Sequence, residues 1–367
     1  MARFATLTAL LGSTLAAPAL AEAHMSDMAA LEARVAELEA QRTAPLGFGG
    51  NTELDFYGYI KADLIYDFGY ELGNTTFGLN TLDATSEEGD FFNATARQTR
   101  LGFTTTTQTA MGELGTQVEG DFYGTGETLR LRHATATLGG LRVGKYWTTF
   151  MPISSYPATL DFQGIAAIPF ARQTQVRYTA EFGGNYVAEF AVENSNADSD
   201  RPVYIAALAY DTDPVLVRAS VLSGQVNDGA GGEVDTFGVN LSTTLTFGNT
   251  TIDASYTDGE GINSYMVFLG EDLNAAGEAI DMQAGYVSLS QTVGEKITLR
   301  AMYGLRENDS GASVDSTERL SSIHLNANYE IVENTSVGIE YFKGKRETFA
   351  GDEYEVDRVQ ASLTYTF

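Results

Sequence analysis

From residue 52 to the end of the chain, apolar and polar side chains alternate with a period of two, the repeat of a strand whose two faces meet different surroundings. Over residues 52–67, Leu54, Phe56, Ile60, Ala62, Leu64 and Tyr66 share one face with Gly58, while Glu53, Asp55, Tyr57, Tyr59, Lys61 and Asp63 share the other. Arg100-Leu101-Gly102-Phe103 starts the same alternation again. It returns in Val176/Tyr178/Ala180 against Gln175/Arg177/Thr179, and in Ile297/Leu299/Ala301/Tyr303 against Thr298/Arg300/Met302. The last example is Val359/Ala361/Leu363/Tyr365/Phe367 against Arg358/Gln360/Ser362/Thr364. Short turns fall near Met111-Gly112, Gly139-Gly140, Gly183-Gly184, residues 211–214, Gly248-Asn249, residues 292–295 and residues 332–334. The connections between them are mostly longer and richer in Asp, Glu, Gly, Asn and Ser, as at 68–95, 259–279 and 307–317. Counting segments between turns gives about sixteen strands, with short turns at one end and long loops at the other. That pattern predicts an all-β fold, a transmembrane antiparallel β-barrel over residues 52–367, apolar outside and polar inside. Tyr66, Phe68, Phe182, Tyr186, Phe247 and Tyr329 near strand ends read as interfacial girdles.

The stretch 129–172 carries the densest chemistry. LRLRHATATL and LRVGKYW flank Gly139-Gly140 as a two-residue hairpin. The turn pairs Leu138 with Leu141, Ala136 with Val143, Ala134 with Lys145 and Arg132 with Trp147. Strict alternation then puts Arg130, Arg132, Lys145 and Trp147 on one face, expected to line water. The opposite face, with Leu129, Leu131, His133, Thr135, Thr137, Arg142, Gly144 and Tyr146, is too polar and small for lipid, and is expected in a subunit interface. Residues 148–172 form an apolar, aromatic loop with three prolines and Asp161 as its only acid. A loop this long and apolar is expected to pack inside the hollow and narrow it. Alternation places Arg100, Arg130, Arg132, Lys145 and Arg177 on the inner face of early strands, and Arg300 and Arg358 on late ones. Guanidinium groups facing water attract and clasp carboxylates. Asp55, Asp63, Glu119 and Asp121 lie on nearby strands and offset part of that field.

The region before the strands has its own organisation. Arg3, an apolar core over residues 4–15 and Ala19-Leu20-Ala21 read as a secretory signal peptide at 1–21. In residues 25–42, Met28, Leu31, Val35 and Leu38 form a heptad-like stripe, expected as a short coiled coil between subunits. That helix and its Pro/Gly linker occupy residues 22–51 on the periplasmic side. The formal charge of −27, about −28 without the leader, argues against nucleic acid as a partner. Cysteine is absent, which removes disulfide and thiolate chemistry, and His24, His133 and His324 lie far apart with no metalloprotease spacing. Asn194, Asn196, Asp198 and Asp200 alternate as calcium ligands do, but the turn glycine and distal glutamate are missing. No cofactor is expected.

Several motifs resemble one family. The C-terminal Leu363-Thr364-Tyr365-Thr366-Phe367, with the leader and the strand pattern, is similar to the Gram-negative outer-membrane porins. ARQTRLGF at 96–103, EGDFYG at 119–124, LRLRHA at 129–134, PATLDF at 157–162 and RQTQVRY at 172–178 resemble the DcaP-like porins. The resemblance implies a sixteen-stranded trimer with an N-terminal coiled coil and a preference for small anions such as dicarboxylates. It implies too that a final aromatic, here Phe367, is read by the barrel assembly machinery. It is clearest over residues 57–178; beyond about residue 180 only the general barrel pattern remains.

The expectation is therefore an outer-membrane channel for passive diffusion of small solutes, preferring anions. The alternatives are a weakly selective or cation-selective porin, an outer-membrane hydrolase on the same barrel, or a structural cell-wall tether. Acidic stretches Glu87-Glu88-Gly89-Asp90, Glu271-Asp272 and Asp352-Glu353 fall on the long-loop side, where divalent cations could bridge them to lipopolysaccharide.

Overall fold

The computed structural model describes residues 51–367, so the leader and the heptad segment lie outside the described residues. The chain forms β1 (Thr52–Tyr70), β2 (Glu88–Thr95), β3 (Arg100–Thr109), β4 (Gly112–Asp121), β5 (Arg130–Leu138) and β6 (Leu141–Trp147). There follow β7 (Arg172–Phe182), β8 (Tyr186–Glu193), β9 (Val203–Thr212), β10 (Val215–Asn227), β11 (Glu233–Phe247) and β12 (Thr250–Glu260). The last are β13 (Asp281–Val293), β14 (Ile297–Asn308), β15 (Thr317–Val332), β16 (Thr335–Thr348) and β17 (Glu353–Thr366). Neighbours pair antiparallel throughout, and β1 pairs with β17 from Tyr59↔Thr366 to Phe68↔Asp357, which closes the sheet on itself.

Seventeen strands fill sixteen barrel positions, because β2 and β3 both lie along β1. β3 pairs with its lower part, Thr52↔Thr107 to Tyr59↔Arg100, and β2 with its upper part, Asp63↔Thr95 to Tyr70↔Glu88. Between them the second wall strand is broken by a turn in which Thr99 N–H donates to Ala96 O at 3.0 Å. The Thr99 hydroxyl oxygen accepts from Lys61 N–H at 3.1 Å, replacing the lost ladder bond.

The sides of the wall are the reverse of a soluble sheet. On β1, Phe56, Ile60 and Leu64 are exposed while Lys61, Asp63 and Asp67 are buried. That inversion fits a barrel with lipid outside. The alternation holds except in the hairpin. Ala134↔Lys145, Ala136↔Val143 and Leu138↔Leu141 pair as the turn dictates. Above them, however, β4 meets β5 as Glu119↔His133 and then Gly120↔Leu131, so Arg132 is an extra residue in a bulge. The bulge reverses the phase. Lys145 lies opposite Thr174, in step with the outward Val143 and Val176. Arg142 lies opposite the buried Arg177, and Tyr146 opposite the buried Gln173. Lys145 is therefore corrected to the outer wall, and His133, Thr135, Arg142 and Tyr146 to the inner one. Gly144 sits at the centre of this distortion with φ +122°, where an added Cβ would come within 2.0 Å of Ala134 O.

The long connections pack over one end. Asn80 Nδ2 donates to Phe268 O at 3.1 Å, Arg306 Nη1 to Leu269 O at 2.7 Å and Thr317 Oγ1 to Asn80 Oδ1 at 2.8 Å. Asp272 is buried in this cover, accepting from Ser264 N–H at 2.8 Å, so of the Glu271-Asp272 pair only Glu271 reaches the surface. Burial pushes the Asp272 carboxyl up to about 6. An acid whose folded value is raised lends its stability at low pH and loses it as pH climbs through that value. Amide exchange across 261–280, corrected for its intrinsic pH dependence, is expected to be faster at about pH 7.5 than at about pH 5, and Asp272→Asn should flatten the difference. Slower exchange at the higher pH would refute this.

Candidate functional site

Residues 148–171 enter the barrel and follow its inner wall. Thr148 N–H donates to Ala171 O at 3.0 Å, pinching the loop at its root. From there Ser220 Oγ of β10 donates to Phe150 O at 3.2 Å, and Tyr286 OH of β13 to Ser155 O at 2.9 Å. Asn326 Nδ2 of β15 reaches Ala158 O at 3.1 Å. Glu340 of β16 accepts from Leu160 N–H at 2.9 Å and Asp161 N–H at 3.2 Å, and Lys61 Nζ of β1 donates to Leu160 O at 2.6 Å. Wall side chains thus supply the partners that the loop's backbone lacks. Its apolar residues Phe150, Met151, Ile165 and Ile168 are fully buried.

Asp161 fastens the tip. Its carboxylate accepts from Thr76 N–H at 3.1 Å, Thr76 Oγ1 at 2.8 Å and Gln163 N–H at 2.8 Å, with Arg358 Nη1 at 3.4 Å. Arg358 is completely buried and spends Nε and Nη2 on Asp67 at 2.5 and 2.8 Å, with Gly73 O also at 2.8 Å. Arg177 is likewise buried, bound to Gln175 at 2.8 Å, Glu189 at 3.1 Å and Trp147 O at 2.5 Å. The sequence set Arg177 and Arg358 on the inner face and Asp161 on the loop opposite them, all as groups lining the passage. Their side chains do point inward, but each is consumed by neighbours and fixes the loop or its root. Arg300 stands apart on β14, with Asn326 Oδ1 at 3.4 Å and no carboxylate within ion-pair distance among the described residues.

The loop covers the wall from β10 round to β1, so its tip faces the arc from β3 to β7. That arc holds Arg100, Arg130, Arg132 and Arg172 with Glu119 and Asp121. Arg132 Nε donates to Glu119 at 2.8 Å and its Nη1 to Asp121 at 2.9 Å. Arg130 takes Asp121 bidentately at 2.9 and 2.8 Å, and Arg100 Nε lies 3.4 Å from Glu119. Arg172 has a buried Nη1 with no hydrogen-bond partner among the described residues. Four guanidinium groups thus meet two carboxylates, and aromatic rings hold their faces. Phe162 at the tip lies under both Arg130 at 5.6 Å and Arg132 at 5.4 Å, and Trp147 under Arg132 at 5.6 Å and Arg172 at 5.0 Å. Tyr57 crosses Gly102, where a Cβ would come within 2.6 Å of its ring, to donate to Glu119 at 3.1 Å. The strand break turns Gln98 into the same space, where its Oε1 accepts from Lys61 Nζ at 2.5 Å.

Arg172, Gln98, Phe162 and Glu340 were not among the residues singled out from the sequence as site groups. Arg172 and Phe162 stood inside the quoted motifs, and an aromatic next to the loop's only acid was the available signal. Glu340 had none, since it is one inner-face polar residue among many.

A comparison with family models matches residues 34–200 to the family described as DcaP outer membrane protein. The crystal structure of the outer membrane channel DcaP of Acinetobacter baumannii superposes with a TM-score of 0.81 at 22% identity, covering 88% of this chain and 100% of that one. Over residues 34–200 the chain is similar to the DcaP outer membrane proteins, and its barrel has the fold of the Acinetobacter channel. The fold also matches an anion-selective porin from Comamonas acidovorans, TM-score 0.62 at 15% identity, covering 86% and 100% of the two chains. It matches OmpT of Vibrio cholerae in its trimer form, TM-score 0.57 at 16% identity, with 86% and 100% covered. A comparison with curated sequences gives no match. The matched family and these neighbours are channels, not enzymes, and the protein resides in the outer membrane.

The amides at the loop's tip are held by Glu340, which also binds His324 at 3.1 Å and Asn326 at 2.9 Å. Hydrogen bonds to a charged acceptor contribute about 1.5–3 kcal/mol each. Glu340→Ala is expected to free the tip by about 2 kcal/mol or more while leaving the barrel closed. Open-channel current noise and protease cleavage within 157–163 should both rise; a quiet, resistant channel would show that the tip is held elsewhere.

Proposed function

We propose that this DcaP-like porin carries small carboxylate anions passively through the gap between the loop tip and the β3–β7 arc. The observation that carries this reading is the four-to-two ratio of guanidinium to carboxylate groups at Arg100, Arg130, Arg132, Arg172, Glu119 and Asp121. The narrowest charged ring governs permeation, more than the net charge of the chain. Arg142, inward through the bulge and stacked on Tyr146 at 3.9 Å, and Arg300 extend the positive path toward the short-turn end. The leader at 1–21, a periplasmic coiled coil within 22–51 and Phe367 as the assembly signal belong to the same reading.

The functional unit in this reading is a homotrimer. The outer face of β3–β7 interrupts its apolar residues Leu101, Val118, Leu131, Val143 and Val176 with Thr105, Thr116, Ala134, Ala136, Lys145 and Thr174, whereas the outer faces of later strands carry Phe190, Leu208, Leu241, Leu289 and Leu325. Lys145 on a lipid-facing wall is penalised with depth, and a protein neighbour removes that cost. The trimer form of the Vibrio cholerae porin is consistent with it.

Under a salt gradient across a planar bilayer, the reversal potential should report chloride preference. Arg130→Ala/Arg132→Ala strands Glu119 and Asp121, and should move selectivity several-fold toward potassium. Potassium preference in the wild type would refute the anion reading. The detergent complex should weigh three protomers, and Ala136→Trp, pointing outward, should split it into monomers; a wild-type monomer with full conductance would rule the interface out.

A further inference from the structure

A second cavity, of about 200 Å³, opens among the long connections, which face the cell exterior in a barrel of this kind. Asn80, Glu271, Arg306, Asn308, Asp315 and Arg346 line it, and no residue of the β3–β7 arc does. Two of these are buried guanidinium groups, Arg306 at 1% exposure and Arg346 at 7%. Their hydrogen bonds go to carbonyls and neutral side chains. Arg306 Nη1 donates to Leu269 O at 2.7 Å and Val267 O at 3.4 Å, Nη2 to Asn80 Oδ1 at 3.5 Å, and Nε to nothing among the described residues. Arg346 Nε donates to Thr317 Oγ1 at 2.7 Å, Nη1 to Leu82 O and Nη2 to Asp315 O at 2.5 Å. A guanidinium carries five N–H donors, so each group keeps at least two without a partner among the described residues. The two flank one spot, because Thr317 Oγ1 accepts from Arg346 and donates at 2.8 Å to Asn80 Oδ1, the acceptor of Arg306. Acceptors are in surplus as well. Asn308 Oδ1 is buried with no donor among the described residues. Glu271 takes Ser316 Oγ at 2.6 Å and Ala312 N–H at 3.4 Å on Oε2 alone, and Asp315 enters bonds through its backbone.

We propose that this pocket binds a sugar acid, one hydroxylated ring carrying one anionic group, at the outer surface of the porin. The anionic group meets the open donors of Arg306 and Arg346, and the ring hydroxyls donate to Asn308 Oδ1, Glu271 and Asp315. Both halves of the ligand are needed. A bare anion would leave the acceptors unmet and lie beside two carboxylates that repel it. A neutral sugar would leave two buried guanidinium groups without a counter-charge. The volume suits a single ring. Gly270 leaves room at the Arg306 end, since an added Cβ there would stand 3.5 Å from Nη2. The pocket does not depend on which ions the passage prefers, because its residues come from β14, β16 and the loops above them.

Amide exchange of the full porin in detergent reads this site locally, apart from any solute held in the passage. Galacturonate at about 10 mM is expected to slow exchange across 309–317 at least about threefold, while galactose and acetate at the same concentration leave it unchanged. Arg346→Gln and Arg306→Gln should each abolish the slowing. Where these variants loosen the loops, Ser310→Trp fills the pocket without touching either arginine and should abolish it instead. Arg130→Ala/Arg132→Ala, on the far arc, should leave the slowing intact. Polygalacturonate at an equal concentration of chain ends separates the sources: equal slowing assigns a surface polysaccharide end, and slowing by the monomer alone assigns the free sugar acid. Galactose or acetate acting as well as galacturonate would overturn the proposal. So would no slowing by galacturonate, the result for a pocket that holds water alone, or slowing that survives in a folded Ser310→Trp.

Discussion

A wall facing hydrocarbon must satisfy every backbone N–H and C=O within itself, and here the seam between β1 and β17 meets that condition. Closure forces the rest. Once the apolar side chains face outward, most polar side chains of the strands are driven into one enclosed space. Arg132, Arg306 and Arg358 become fully buried there, which is tolerable only if their donors are taken up. Arg358 finds Asp67, Asp161 and Gly73 O; Arg132 finds Glu119 and Asp121; Arg306 finds the carbonyls of Val267 and Leu269. The inward ion pairs are thus a consequence of closure before they are a device for solutes.

The loop at 148–171 solves a related problem. A segment inside a polar lumen is solvated unless wall and loop trade partners, and here five wall strands offer a side chain where the loop presents a backbone group. Ser220, Tyr286, Asn326, Glu340 and Lys61 do this in the order of the strands that carry them. The apolar residues between those points then pack against the wall, so the narrowing is as well ordered as the barrel. Position of the tip is fixed from both sides: Glu340 holds its amides, and the Arg358–Asp161–Thr76 set holds its side chain.

The barrel was legible because a period of two needs no knowledge of neighbours. Leu54, Phe56 and Ile60 against Tyr57, Tyr59 and Lys61 give β1 and its faces directly, and the glycine-rich turns give the strand count. What alternation cannot carry is an extra residue. One bulge at Arg132 moved Lys145 outward and Arg142 and Tyr146 inward, because a shift of one residue exchanges the faces of everything after it. The broken strand at Ala96–Thr99 escaped for the same reason, since both halves keep their own alternation. Charge state at the site was harder still. Arg358 and Asp67 lie 291 positions apart in the chain, and Glu340 and Leu160 lie 180 apart, so no local pattern marks them as partners. A list of inward arginines therefore mixed groups open to solute, such as Arg100, with groups already spent, such as Arg177.

This distinction explains how a chain of charge −27 can present a positive passage. On the outer rim, Arg319, Lys343 and Lys345 are laced to Glu307, Glu347, Glu353 and Glu355, a band separated from the gap by the wall. Exposed charges are screened over about 8 Å at physiological ionic strength, so this rim and the acidic loops contribute little at the gap. Inside, low-dielectric walls focus whatever charge remains unbalanced. Arg130 and Arg132 are balanced by Asp121 and Glu119, so the field there comes from the surplus, carried by Arg100 and Arg172. The effective charge of the arc is then about half of what its arginines suggest. It depends as much on the two carboxylates as on the four guanidinium groups: losing either acid would strengthen the field while taking one of the buried Arg132's two carboxylate partners away.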